Sequence, residues 1–144
     1  MIKVIVAGAA GRMGKLLVKN ILAADDMSLS GATEFEKSPY LGKDAGITAG
    51  TSPADIFITP KLSPLLPDAD ILIDFSTGNI AGNAELAINA GLGVVIGTTA
   101  LSSAEKQKLE EMAASCGKIV FAPNMSIGVN LLFSLVEKVA KTLN

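Results

Sequence analysis

A chain of 144 residues, 49% hydrophobic and 18% charged with a net charge of -2, has the size and composition of one globular domain with a real core. The balanced charge gives nucleic-acid binding no electrostatic support, and no apolar run nears the roughly 18 residues of a membrane span. Histidine, the commonest general base and metal ligand, is absent, so no metal site is expected. The single cysteine, Cys116, excludes an internal disulfide, and the chain enters a strand at once rather than through a charged leader; both features point to the cytoplasm.

Ile2 to Ala7 is apolar and β-branched, as a strand buried on both faces of a parallel sheet should be. It runs into Gly8-Ala9-Ala10-Gly11-Arg12-Met13-Gly14, a glycine turn that opens a helix, Arg12 to Ala24, whose apolar residues Met13, Leu16, Leu17, Ile21 and Leu22 follow a helical period. Gly8 makes the turn, Gly11 clears the approach of a diphosphate to the helix amides, and Gly14 lets helix and strand sit close. Ala10 stands at the second glycine of the usual dinucleotide fingerprint. Met27 to Glu34 reads as a second strand ending on an acid 20 residues after Gly14, where a Rossmann unit places the carboxylate that takes the adenosine ribose. The bland alternative is a glycine turn that binds nothing, with Glu34 a solvated charge.

Residues 35 to 68 are irregular and proline-rich, with Ile56 to Thr59 as a short strand and Lys61 to Leu66 as one helical turn. Alternation then returns: strands at Ala69 to Asp74, Gly93 to Gly97 and Lys118 to Ala122, helices at Asn79 to Ala90 and Ser102 to Ser115. Ser102-Ser-Ala-Glu105 is a capping box that fixes the start of the second of these helices. A last helix, beginning near Ser126, carries the apolar stripe Leu131, Leu132, Leu135, Val136, Val139 and Leu143. That stripe either packs on the chain's own sheet or is left as an exposed patch that drives association.

The expected fold is α/β, a Rossmann-type doubly wound parallel sheet forming a single three-layer domain. Ligands in such sheets lie beyond the carboxyl ends of the strands. Those ends carry the glycine turn, Glu34-Phe35, Asp74 to Gly78, Gly97-Thr98-Thr99-Ala100 and Ala122-Pro123-Asn124-Met125-Ser126. Neutral hydrogen-bonding groups such as Thr98, Thr99 and Asn124, with Phe75 as a flat apolar wall, suit a nicotinamide nucleotide better than acid–base chemistry. Each loop also has a plain structural reading: Ser76 as a helix cap, Gly97 to Thr99 as a turn, Pro123 as a strand terminator. Their common edge favours the functional one.

Five blocks, Gly8 to Gly14, Leu41-Gly-Lys-Asp-Ala-Gly46, Asp74-Phe-Ser76, Val95-Ile-Gly-Thr-Thr99 and Ala122-Pro-Asn-Met-Ser-Ile-Gly-Val-Asn130, resemble those of the dihydrodipicolinate reductases of bacterial lysine and diaminopimelate synthesis, in the same order. The resemblance implies that Gly8, Ala9, Ala10, Gly11, Arg12 and Met13 hold the cofactor diphosphate and that Glu34 holds the adenosine ribose. It assigns Gly97, Thr98 and Thr99 to the nicotinamide ribose and Ala122, Pro123, Asn124 and Met125 to the nicotinamide end. It also implies hydride transfer from NADH or NADPH to a cyclic unsaturated dicarboxylate.

Two departures from that family pattern shape the expectations. Many members have arginine after the ribose acid, where it pairs with the 2′-phosphate of NADPH; Phe35 here implies a lean toward NADH, moderated by Arg12 and Lys37. The family's second domain, with its histidine-bearing substrate motif, has no counterpart in these residues. The expected organisation is therefore a dinucleotide-binding domain over 1–125 and a hinge with the start of a linking helix over 126–144. A complete member would be a homotetramer; this chain is expected to be a monomer or weak dimer that binds cofactor without turnover and holds no catalytic residue. The competing readings are a stand-alone nucleotide-binding module and the cofactor domain of another Rossmann oxidoreductase.

Overall fold

Successive residues of a strand face opposite sides of its sheet, and in β1 (Ile2–Ala7) both sides are apolar: Val4, Ile5, Val6 and Ala7 are each 1% exposed or less. Val4 and Val6 join a cluster with Val18 and Ile21 of α1 (Arg12–Ala23), with Leu29 and Ala32 of β2 (Met27–Thr33), and with Ala45 of the short α2 (Ala45–Thr48). Ile5 and Ala7 point the other way. They meet Leu72 of β3 (Ile71–Asp74), Ile80, Ala84 and Ala87 of α3 (Ile80–Asn89), Val94 and Ile96 of β4 (Gly93–Ile96), and Leu109 of α4 (Ser103–Cys116). The result is three layers with a core on each face of the sheet, as expected for the α/β class. This computed structural model describes residues 1–98, 101–116, 118–122 and 124–143.

The sheet is wholly parallel in the order β2-β1-β3-β4-β5, with β5 spanning Ile119–Phe121. The chain reverses its direction of travel across the sheet between β1 and β3, which opens a crevice at their carboxyl ends. Beyond β2, the Thr59 amide donates to the Ala32 carbonyl at 3.0 Å and the Glu34 amide to the Thr59 carbonyl at 3.1 Å, the trace of a further parallel strand. The expected strand Ile56 to Thr59 is not a regular one. The Ile58 amide turns instead to the Lys43 carbonyl, and the Ile56 carbonyl accepts from the Ala45 amide, so the segment divides its hydrogen bonds between β2 and the start of α2. The single helical turn expected at Lys61 to Leu66 appears as a 3-10 helix at Ser63–Asp68, which puts Leu66 into the core.

The capping box forms as read: the Ser102 amide donates to Glu105 Oε2 at 2.9 Å, and the Glu105 amide to Ser102 Oγ at 3.3 Å. The α3 helix is capped by Asn79, whose Oδ1 accepts from the Gly82 amide, and not by Ser76. The last helix, α5 (Ile127–Leu143), has no buried residue, which rules out the reading in which its stripe packs on the chain's own sheet.

Asp44 caps α2. Its Oδ1 accepts from the Ile47 amide at 2.9 Å, and both its oxygens accept from the Ala54 amide at 3.1 Å. These amides, that of Ile47 foremost, favour the charged form and hold the carboxyl below its ordinary value of 3.8. A lowered folded-state pKa gives stability that is present above the unfolded value and lost as pH falls through the folded one. Asp44→Ala is therefore expected to cost about 1 kcal/mol near neutrality. Urea unfolding of both proteins should show the gap closing below about pH 4. Gly14 provides a second measurement. A Cβ there would overlap the Gly8 carbonyl oxygen and lie 2.7 Å from the Ala9 Cα, so Gly14→Ala should cost about 2 kcal/mol or more in the same unfolding experiment.

Candidate functional site at the carboxyl edge of the sheet

Gly8 leaves β1 at φ +74°, a conformation L side chains rarely adopt, and the turn then folds back on itself. The Gly8 and Ala9 amides both donate to the Thr33 carbonyl, at 2.9 and 3.1 Å, and the Gly11 amide to the Gly8 carbonyl at 3.0 Å. The Ala10 amide donates to Glu34 Oε1 at 3.0 Å. Four amides of the turn thus have partners within the chain, unlike the bare cradle suggested by the glycine spacing. The open donors belong to the first turn of α1: its N-cap is Gly11, and no side chain caps it. Arg12 and Met13 stand exposed on that turn, whereas the Ala9 side chain is buried in the core and only its backbone faces the turn.

Glu34 follows directly on β2. Besides the Ala10 amide it accepts from the Phe35 amide, through Oε2 at 3.3 Å, so its carboxylate is fastened to the glycine turn. A cavity of about 590 Å³ opens between this carboxylate, the glycine turn and the loop after β3. Gly8, Ala10, Gly11, Glu34 and Phe75 all line it. Phe75 lies so close to Gly97 that a Cβ at Gly97 would overlap the Cζ edge of the ring, which ties the end of β4 to the same crevice.

Asp74, fully buried at the end of β3, shapes this loop although it is not among the residues that the family resemblance assigns to the cofactor. Its Oδ1 accepts from the Ser76 amide at 2.8 Å and its Oδ2 from Asn83 Nδ2 at 2.9 Å, pinning the turn to α3. An acid closing an otherwise apolar strand was the signal available for it. Tyr40 also lines the cavity, with the ammonium groups of Lys15 and Lys43 each 5.0 Å from its ring centroid. No spacing in the sequence announces that cluster, because α1 and the loop around residue 40 meet only in the fold.

The remaining predicted residues share the edge without lining this cavity. Thr98 is buried after β4; Ala122, Asn124 and Met125 follow β5, with Asn124 and Met125 exposed. Thr99 and Pro123 lie outside the described residues. The polar groups of the Asn124 block are turned toward α5. Asn124 Oδ1 accepts from the Ser126 amide, Ser126 Oγ from the Val129 amide, and Asn130 Nδ2 donates to the carbonyls of Asn124 and Ser126. Among the described residues no cluster could hold a metal ion, and no helix is long and apolar enough to cross a membrane.

Residues 2–125 match the family model described as dihydrodipicolinate reductase, N-terminus. The chain is 42% identical over 144 residues to the 4-hydroxy-tetrahydrodipicolinate reductase of Syntrophotalea carbinolica, a match spanning 99% of this chain and 54% of that protein. It is 48% identical over 141 residues to the one from Cupriavidus pinatubonensis, covering 96% of this chain and 52% of the relative. Its fold is similar to that of a dipicolinate-bound dihydrodipicolinate reductase from Paenisporosarcina sp. TG-14, with a TM-score of 0.76 at 22% identity over 97% of this chain and 54% of that one. The chain spans about half the length of the curated relatives it matches. With the family model matching most of its residues, the chain belongs to the dihydrodipicolinate reductase family and carries the fold of that family's amino-terminal domain.

Proposed function

We propose that this chain is the NAD(P)H-binding unit of a 4-hydroxy-tetrahydrodipicolinate reductase, with residues 1–125 forming the dinucleotide site and 126–144 the hinge and linking helix. The observation that carries this reading is the Glu34 carboxylate at the end of β2, fastened to the glycine turn and facing a 590 Å³ cavity at the crevice where the chain reverses. A carboxylate has about four acceptor sites, so Glu34 keeps capacity for ribose hydroxyls while it holds the Ala10 and Phe35 amides. The first-turn amides of α1 and the Arg12 side chain take the diphosphate, and Phe75 walls the crevice. Gly97, Thr98 and Thr99, with Ala122, Pro123, Asn124 and Met125, serve the nicotinamide half.

The bound cofactor supplies the hydride. The protein's part is to fix the ribose and diphosphate and to keep water from the ring. The acceptor in the whole enzyme is a cyclic unsaturated dicarboxylate, and among the described residues that line the cavity there is no lysine or arginine to hold its carboxylates. Binding without turnover is therefore the expected behaviour of this chain, in the cytoplasm and with no role in nucleic-acid binding.

NADH is the favoured cofactor. Phe35 brings no positive charge to a 2′-phosphate, while Glu34 repels one. Arg12 and Lys37, and now Lys15 and Lys43 held over Tyr40, keep the preference moderate.

Isothermal titration with each reduced cofactor tests both levels of this reading. NADH should bind the more tightly; NADPH binding tenfold tighter would reverse the preference, and no heat from either at millimolar levels would remove the nucleotide-binding assignment itself. Glu34→Ala is expected to weaken NADH by about tenfold, the value of a charge-assisted hydrogen bond. Phe35→Arg should shift the ratio toward NADPH. Oxidation of NADH by this chain in the presence of the dicarboxylate substrate would contradict binding without turnover.

A further inference from the structure

Lys15 and Lys43 are far apart in the chain and meet at one aromatic ring: each ammonium group stands 5.0 Å from the centroid of Tyr40. Their stems start from fixed backbone. The Lys15 amide donates to the Gly11 carbonyl at 3.0 Å at the start of α1; the Lys43 amide donates to the Tyr40 carbonyl at 3.1 Å, and the Lys43 carbonyl accepts from the Ile58 amide at 2.9 Å. The ring is fixed as well, because Tyr40 packs against the core cluster that Val18 and Ile21 of α1 help to form. No carboxylate claims either ammonium. Among the described residues neither lysine makes an ion pair, and α1 contains no acid. Asp44, the neighbour of Lys43, spends both oxygens on the Ile47 and Ala54 amides. Cations left without a carboxylate are attracted to the negative face of an aromatic ring.

Tyr40 lines the 590 Å³ cavity together with Glu34 and Phe35, and neither lysine does. The ring therefore belongs to the cavity wall, while the two positive charges it holds lie outside that wall. An ammonium drawn to a 2′-phosphate on a ribose at Glu34 would give up its place on the ring. An exposed cation–π contact and an exposed ion pair are of the same order, so what the phosphate gains the ring loses and little net attraction remains.

We propose that Tyr40 is a specificity-determining positioning residue of the cofactor site: by holding Lys15 and Lys43 on its ring, outside the cavity, it keeps their charge from a 2′-phosphate and so maintains the preference for NADH. This rests on the nucleotide-binding reading above. It adds to Phe35, which brings no cation of its own, a ring that withholds the two cations standing nearby.

Isothermal titration of NADH and NADPH into the 144-residue chain and its variants tests the proposal. Tyr40→Leu keeps an apolar wall and removes the π face; it should raise the ratio of NADPH to NADH affinity about tenfold, the worth of the two ring contacts released. Tyr40→Phe retains the ring and should keep the ratio of the unsubstituted chain. Adding Lys15→Gln and Lys43→Gln to Tyr40→Leu should abolish the gain, and so should about 1 M salt, which screens exposed charges beyond roughly 3 Å. With the ring in place, Lys15→Gln and Lys43→Gln together should change the ratio by about threefold or less, a measurement that does not depend on how Tyr40→Leu folds. An unchanged ratio in folded Tyr40→Leu would overturn the proposal, as would a gain that survives the lysine substitutions. So would a tenfold loss of NADPH affinity in the double lysine variant, because the ammonium groups would then already reach the phosphate. Failure of the unsubstituted chain to bind NADH is a different result: it removes the nucleotide-binding reading itself, and this proposal with it.

Discussion

The whole carboxyl edge depends on how close α1 comes to the end of β1. Gly14 sits against the Gly8 carbonyl and the Ala9 backbone with no room for a side chain, and this contact sets the direction in which α1 leaves the sheet. From it follows the position of the uncapped first turn at the mouth of the crevice. The same contact brings Val18 and Ile21 down onto Val4 and Val6, so one steric constraint serves both the core and the site. A helix displaced outward by a single methyl would lose packing on its inner face and alignment at its amino end together.

Glu34 is the second joint. Its backbone amide donates to Thr59, the trace of the strand beyond β2, while its side chain accepts from the glycine turn of β1. It thus links three neighbouring segments before any ligand arrives. Thr33, just before it, receives the Gly8 and Ala9 amides on its carbonyl. These bonds cross from the end of β2 to the turn after β1, so the acid and the turn are held in fixed relation. Fixed relation matters to the proposed function because a ribose and its diphosphate are joined by short covalent links, so groups proposed to hold both would have to keep their spacing before binding.

What could be read from the residues was what is local. The strand–turn–helix at the start is legible because glycines at 8, 11 and 14 mark a backbone demand that no side chain can meet, and the Ser102–Glu105 box is legible because its two hydrogen bonds span three residues. The segment Ile56 to Thr59 has the composition of a strand but pairs only through single bridges, because its partners, Lys43, Ala45 and Ala32, lie up to 27 residues away and compete for its bonds. The role of Asp74 is hidden for a related reason: it becomes visible only once Asn83, a turn along α3, is brought beneath it. The Tyr40 ring with Lys15 and Lys43 belongs to the same class of long-range fact. On the glycine turn the spacing marks the residues that make the turn but implies free amides, where four of them are spent on holding it.

The fate of the last helix could not be read locally at all, since an amphipathic period shows that a face will be covered and not by what. The Asn124 to Asn130 stretch starts this helix firmly: Asn124 orders the Ser126 amide, Ser126 receives that of Val129, and Asn130 reaches back to two carbonyls. Such a network costs conformational entropy in every residue it orders, and a freely swivelling tail would have no need of it. Its bonds all lie within residues 124–130, so what they order is the first turn of α5 and the loop that leads into it. A face held in one conformation loses less entropy on being covered than a flexible one would, so the firm start of α5 lowers the cost of burying its apolar residues, whatever covers them.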